Sequence, residues 1–452
     1  MAFSELSRIF EGRRPQDDAV AMLGDRVASF GEFARRVASV AAQVRTLGGR
    51  RWLLATEDAW GFLTGFFGLL RAGCSVAIPP NHLPATLERL AVGMDGIFTD
   101  VAVCLEKGHP WRPIPEAGEA WPDPAPLEDG CVEFWTSGSS GEAKRIHKRL
   151  SQLDGEVRVL EELFGDRMRG GPVLGTVPHQ HIYGCLFRIL WPMAAGRPLV
   201  AEQCGDPDRF RSALVNSQAS ALVCSPALLA RLPGLVDLDR TLSAVSAVFS
   251  SGGPLKAADA LAWRRWVPGG VVEIYGSTET GGIAWRVQSE DPSSDHWTPF
   301  PDVAFSFEAD GALVVRSPRV GPEPIRMEDA AQPLPDGRFR LMGRLDRIVK
   351  LEALVRWQHP ERGLIMPGAF IELAEQTGMI IPIGQWVTHK ACQQLQTWAA
   401  QPGFQNLRLA VNISQLQFRQ RDFVQQILHA IDQVKINASL LELELTESML
   451  VQ

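Results

Sequence analysis

The sequence has no surplus of positive charge, no paired cysteines and no long apolar run, and each absence removes a class of function. Lysine and arginine number 45 against 52 acids, a net charge of −7, which argues against a general binder of nucleic acid or anionic membrane. The seven cysteines (Cys74, Cys104, Cys131, Cys185, Cys204, Cys224, Cys392) stand singly, with no C-x-x-C pair and no ligand-like spacing to histidine. A reducing cytoplasm fits them best. Residues 1–14 lack the basic-then-apolar order of a signal peptide. The longest apolar stretch, residues 62–70, contains glycines and ends at Arg71, too short to cross a bilayer. What remains is a cytoplasmic globular chain acting on small molecules. At 452 residues, 45% of them hydrophobic, it has room for about three domains.

The stretch that stands out is Thr136-Ser137-Gly138-Ser139-Ser140-Gly141-Glu142-Ala143-Lys144, entered from the apolar residues 132–135. A strand that breaks into glycines and hydroxyls and ends on lysine suits an anion: glycines let backbone N–H groups crowd around it, and the hydroxyls and ammonium add donors. The alternative on these residues alone is a flexible Gly/Ser linker.

Upstream and downstream, helical patterns alternate with short apolar strands. Helices are predicted over 30–47, 59–71, 150–164 and 185–195, and strands over 51–55, 74–78, 173–177, 221–224 and 247–249. Residues 108–130, rich in proline and acids, read as a surface connection. This is the α/β rhythm of a layered, largely parallel sheet, in which ligands collect at the carboxyl ends of strands. Two strands end suggestively: one at Ser250-Ser251-Gly252-Gly253-Pro254, the other at Ile274-Tyr275-Gly276-Ser277-Thr278-Glu279-Thr280-Gly281. The first lets backbone approach a flat ligand closely. The second could stack a base, hold phosphate and offer magnesium an oxygen ligand, or be a turn with a solvated glutamate. Residues 304–316 and 337–342 turn at Asp-Gly pairs, which predicts a small antiparallel unit.

The run 136–144, the segment 275–280 and Gly343-Arg344-Leu345-Asp346 together resemble core motifs of the adenylate-forming enzymes: acyl- and aryl-CoA synthetases, nonribosomal adenylation domains and luciferases. The resemblance covers about residues 5–350, in register and order. It implies that Thr136, Ser137, Gly138, Ser139, Ser140, Gly141 and Lys144 hold the triphosphate of ATP, and that Tyr275 stacks on adenine beside Gly252 and Gly253. Thr278 and Glu279 would contact phosphate and magnesium, and Asp329 and Arg344 the ribose. Asp346 matches the hinge, and His181 the gate beside a carboxylate substrate, although a lone histidine after a strand is as readily a packing residue. The implied reaction makes an acyl-adenylate for transfer to the thiol of CoA or a carrier protein.

The pattern then departs. After Lys350 the resemblance calls for a glycine-containing hinge and roughly a hundred residues of lid bearing a second lysine. Instead Glu352-Ala353-Leu354-Val355-Arg356-Trp357, Val411-Asn412-Ile413-Ser414 and Glu442-Leu443-Glu444-Leu445-Thr446-Glu447 resemble the EAL domain, a cyclic-di-GMP phosphodiesterase of TIM-type build. The likeness implies Glu352, Asn412 and Glu444 as ligands of magnesium or manganese, Arg356 on a substrate phosphate, and Glu447 supporting a neighbouring loop. Strands are expected up to Arg356 and over 407–411 and 441–446, and helices over 367–378, 382–400 and 422–433. Later motifs of that family are not seen, and three strands cannot close such a barrel. Two domains are expected, 1–350 and 351–452, meeting without a linker. The expectation is an acid-activating ligase core, weakened by the substituted lid and without cyclic-di-GMP hydrolysis. The alternatives are a cyclic-di-GMP-binding signalling protein and a non-functional chimera.

Overall fold

A computed structural model describes residues 3–12, 14–100, 111–137, 143–345, 350–399, 401, 404 and 407–445. The chain divides into two compact units, residues 1–343 and 344–452.

The first unit is built on the predicted α/β alternation. Helix Phe30–Leu47 begins where the Ser29 side chain accepts from the Glu32 amide, and Ala59–Arg71 where Asp58 accepts from Gly61. These caps satisfy amide groups that the first helical turn leaves unpaired. Ala59–Arg71 is apolar all round and buried along its whole length except at Arg71, as a helix between packed layers must be. Burying each of Phe62, Leu63, Phe66 and Phe67 stabilises the unit by about 1.5–3 kcal/mol. Gly68 lets the two helices touch: a Cβ there would lie 2.4 Å from the Val40 side chain.

A six-stranded sheet runs in the order Trp111–Arg112, Gly96–Thr99, Arg51–Ala55, Ser75–Ile78, Cys131–Ser137, Ala143–Arg149. Its strands are parallel except the last, which pairs antiparallel with Cys131–Ser137. A nine-stranded sheet has a parallel centre of Val271–Ser277, Ala247–Ser250, Ala221–Cys224, Val173–Gly175, Leu199–Val200 and Ala19–Leu23, with antiparallel strands at both flanks. The central strands are buried on both faces and so read as unbroken apolar runs. A four-stranded sheet, Ala304–Phe307, Ala312–Arg316, Ile325–Pro333 and Phe339–Arg344, follows with antiparallel hairpins, as predicted.

The helix predicted over 185–195 is not one regular α-helix. It opens as Ile182–Gly184, widens to a π-helical stretch over Cys185–Leu190 and returns to α over Trp191–Ala194. The widened stretch carries Arg188, fully buried, whose guanidinium donates to the Ala201 carbonyl at 2.6 Å.

In the second unit Lys350–Ala353, Arg408–Ile413 and Leu441–Leu445 form a three-stranded parallel sheet with Arg408–Ile413 in the middle. Helix Ile380–Ala399 lays Ala391 and Leu395 against Leu409, Val411 and Ile413. Gly384, buried on the same helix, lets Gln417 approach: a Cβ there would meet the Gln417 amide nitrogen at 1.8 Å. The hairpin Trp357–His359 with Gly363–Ile365 was not anticipated.

Candidate active site

Strand Cys131–Ser137 carries the apolar entry to the glycine-rich run, and Ala143–Arg149 returns beside it with Thr136 opposite Lys144. Gly138, Ser139, Ser140 and Gly141 lie outside the described residues, as does the side chain of Ser137. Strand alternation places Lys144 and Lys148 on one face of the return strand and His147 on the other.

That first face meets the loop after strand Val271–Ser277. The Lys144 ammonium donates to Glu279 Oε1, and Lys148 Nζ donates to the backbone carbonyl of the same glutamate at 2.5 Å. One lysine therefore holds the carboxylate while the other holds its main chain. Burial alone would raise the Glu279 carboxyl, but the hydrogen bond and charge of Lys144 hold it below the ordinary carboxylate range. Lys148 is buried, and desolvation lowers its ammonium below the ordinary lysine value against the pull of Glu156 and Glu279. Sequence reasoning missed Lys148. Its period-two relation to Lys144 was the available signal.

The loop is narrow by construction. The Ser277 amide donates to Thr280 Oγ1 at 3.0 Å and the Thr280 amide to Ser277 Oγ at 3.2 Å, leaving Thr278 and Glu279 at the tip. Gly281 is left-handed at φ +69°, and a Cβ there would collide with Glu156 Oε1 at 1.6 Å. Only glycine fits both the conformation and the space. Beneath the loop Glu156 accepts from the Gly282 amide at 3.0 Å and pairs with Arg319 at 2.6 Å.

Tyr275, two residues before the strand end, donates through its hydroxyl to Asp329 Oδ2 at 2.8 Å, and its ring packs near Trp297 and Phe339. The structure thus joins two site candidates 54 residues apart. Gly252, at φ +84°, and Gly253 follow strand Ala247–Ser250; a Cβ at Gly252 would meet open space, and one at Gly253 would just touch Pro226 at 4.0 Å. Ser251 ties that turn to the Ile274 carbonyl at 2.9 Å. His181 is exposed at the start of Ile182–Gly184. The buried histidine is His179, whose Nε2–H donates to the Thr56 carbonyl at 2.8 Å; burial and the nearby Arg188 charge push its pKa down to about 3. It stays neutral at working pH.

Arg344 is the last residue of strand Phe339–Arg344, while Asp346 and Glu447 lie outside the described residues. The sheet register sets Glu352 level with Ala410, and Asn412 level with Glu444. Residues two apart on a strand share a face, so Glu352, Asn412 and Glu444 line one face. Asn412 Nδ2 donates to Glu352 Oε1. Arg356 turns one guanidinium nitrogen to the Val355 carbonyl at 3.0 Å.

The Lys144–Glu279 contact lies beside the carboxyl end of strand Cys131–Ser137, where ligands of open α/β sheets collect. The AMP-binding enzyme model matches residues 83–315. The chain belongs to the AMP-binding enzyme family. Among solved structures, ATP-bound MatB of Rhodopseudomonas palustris is 16% identical, covering 98% of this chain and 95% of that one with a TM-score of 0.67. A benzoate CoA ligase of Burkholderia xenovorans LB400 is 17% identical, covering 77% and 81% with a TM-score of 0.60. At these identities the likeness is one of fold.

Residues 342–452 match the EAL domain model. The bifunctional diguanylate cyclase/cyclic di-GMP phosphodiesterase MucR of Pseudomonas aeruginosa is 44% identical over 101 residues, 22% of this chain and 15% of that protein. The chain spans only 12% to 18% of the length of such curated relatives. Among the described residues, no helix is long and apolar enough to cross a membrane.

Proposed function

We propose that the first unit binds ATP and activates a carboxylic acid as its acyl-adenylate. The observation that carries this reading is the pairing of Lys144 with an ionised Glu279 at the end of the glycine-rich hairpin. A carboxylate is a poor acyl donor because its leaving group would be oxide. In adenylation one of its oxygens bonds to the α-phosphorus while the bond from that phosphorus to pyrophosphate breaks, and the pair of electrons leaves with pyrophosphate. Charge builds on the phosphates, and fixed donors aimed at it lower the barrier.

Each residue then has a task. Thr136, Ser137, the glycines and Lys144 donate to the triphosphate, Lys144 passing from Glu279 to a phosphate oxygen as nucleotide enters. Glu279, kept ionised and only part-exposed, fits an oxygen ligand for a hard cation. Magnesium, when bound, neutralises phosphate charge. Lys148 keeps the Glu279 main chain in place, Tyr275 and Asp329 receive the nucleoside, Gly252 and Gly253 leave room for its flat face, and His181 borders the acid.

Beyond Lys350 the chain continues as the EAL-like segment in place of a lid with a second lysine, which leaves adenylation weak and transfer to CoA or a carrier thiol impaired. The test is acid-dependent exchange of labelled pyrophosphate into ATP over a panel of alkyl and aryl acids. Exchange above a Lys144→Ala control is the expected result; none with any acid would remove the proposal.

One observation favours a second activity for the other unit, a divalent cation held by Glu352, Asn412 and Glu444 on their shared face. With Arg356 as the phosphate contact, the segment binds cyclic-di-GMP. Calorimetry with manganese present should give heat on adding the dinucleotide to the full chain and none with Glu352→Gln; no heat from the unaltered protein would exclude it.

A further inference from the structure

The opposite face of the hairpin bears a second cluster that adenylation does not use. Cys131 and Glu133 lie two apart on one strand, and His147 stands opposite Glu133 on the next, so all three side chains rise from the same face. One ligand atom from each lies within 4.8 Å of the others. Cys131 Sγ and His147 Nδ1 are 3.5 Å apart. Tetrahedral zinc, with Zn–S of about 2.3 Å and Zn–N of about 2.0–2.1 Å, sets its sulfur and nitrogen ligands about 3.5–3.6 Å apart. The pair is therefore spaced to share one ion with little adjustment.

Glu133 is buried and already gripped by Arg51, whose Nε and Nη2 reach its two oxygens at 3.0 and 2.6 Å. An ionised carboxylate has about four acceptor positions, so this grip leaves the outer lone pairs available and orients the group as an outer-shell partner does. Cys131 and His147 also border a cavity of about 620 Å³ that continues past Arg149 and Gln152 to Pro318. A fourth coordination position would open into it.

We propose that Cys131, Glu133 and His147 form a binding site for a zinc-class divalent ion, with three protein ligands and one position open to the cavity. Thiolate, imidazole and carboxylate together select zinc over magnesium or calcium. Two anionic ligands offset the charge of the ion amid the neighbouring arginines. The ion would cross-link the two strands that carry the glycine-rich run, well away from Lys144 on the other face.

The test uses the full chain, stripped with chelator and titrated with cobalt(II), whose bond to a thiolate gives an intense near-ultraviolet charge-transfer band. One equivalent should produce the band, and zinc should abolish it. Cys131→Ser should remove the band and His147→Gln should weaken cobalt binding by more than the about 10–100-fold that loss of an outer-shell partner costs, while Cys74→Ser leaves both unchanged. No band in the unaltered protein at excess cobalt, or a band of full intensity in Cys131→Ser, overturns the site. The reading of the unaltered protein decides the matter if a variant fails to fold.

Discussion

Arg319→Met is expected to destabilise the first unit by about 3–5 kcal/mol, because it strands a buried carboxylate. Arg319 and Glu156 are each 4% exposed in their side chains. The guanidinium donates to Glu156 Oε2 at 2.6 Å, to Asp302 Oδ1 at 2.8 Å and to the Gly282 carbonyl at 3.2 Å. Burial pushes the Glu156 carboxyl above its ordinary range while the charges of Arg319 and Lys148 draw it back. Methionine keeps much of the packing volume and removes the positive charge, leaving Glu156 with Lys148 and one amide. Equilibrium urea unfolding followed by tryptophan fluorescence reads the effect as a lower midpoint. The double variant Glu156→Gln with Arg319→Met should recover part of the loss, since it no longer buries an unpaired charge. A shift below about 1 kcal/mol in the single variant would show that Glu156 is not stranded, its charge being met by Lys148 or removed by a proton.

The same network shows which parts of this molecule could be read in advance. Helices Phe30–Leu47 and Ala59–Arg71 have the predicted bounds because apolar residues repeat at helical period in the first, and the apolar run of the second stops at Arg71 just before Gly73. The parallel strands near 51–55, 74–78, 173–177, 221–224 and 247–249 were legible as short apolar runs, whereas Ala19–Leu23, Gly96–Thr99, Trp111–Arg112 and Leu199–Val200 were not read. The π-helical stretch Cys185–Leu190 was not legible: a helix apolar but for Arg188 gives no periodic signal of where its hydrogen bonding slips.

For the site, types and order carried the reading of Lys144, Tyr275 and Glu279. The partnership of Tyr275 with Asp329 depends on a tertiary contact that no local pattern encodes. Lys148 and Glu156 escaped notice because a lysine in a strand and a glutamate in a helix are most often solvated. Their burial follows from where the loop Ser277–Gly281 docks, a long-range event. In the second unit the alternation put Glu352, Asn412 and Glu444 on one array, and the sheet register places them on one face.

Glu279→Gln separates the chemistry of the site from its architecture, and it should lower acid-dependent pyrophosphate exchange by about 10²–10³, the usual cost of removing one preorganised electrostatic group from a reacting centre. The amide is close in size to the carboxylate and still accepts from Lys144, while Lys148 donates to the backbone carbonyl regardless of side chain, so the loop keeps its place. The lost Lys144 ion pair is partly solvated, with side-chain exposures of 61% and 29%, and such pairs contribute about 0–1 kcal/mol. The unfolding midpoint should therefore hardly move. Nucleotide binding measured without divalent cation should also be little changed or slightly tighter, since one negative charge facing the phosphates has gone. The loss should appear in turnover and in a raised magnesium requirement, because what the amide lacks is the charge that holds a hard cation. A decrease of less than about 3-fold, with the magnesium dependence unaltered, would mean that Glu279 serves only as a strut for Lys144. A large decrease accompanied by a large drop in stability would point instead to collapse of the Ser277–Gly281 loop. Only activity loss at constant stability assigns the carboxylate to the metal and the phosphates.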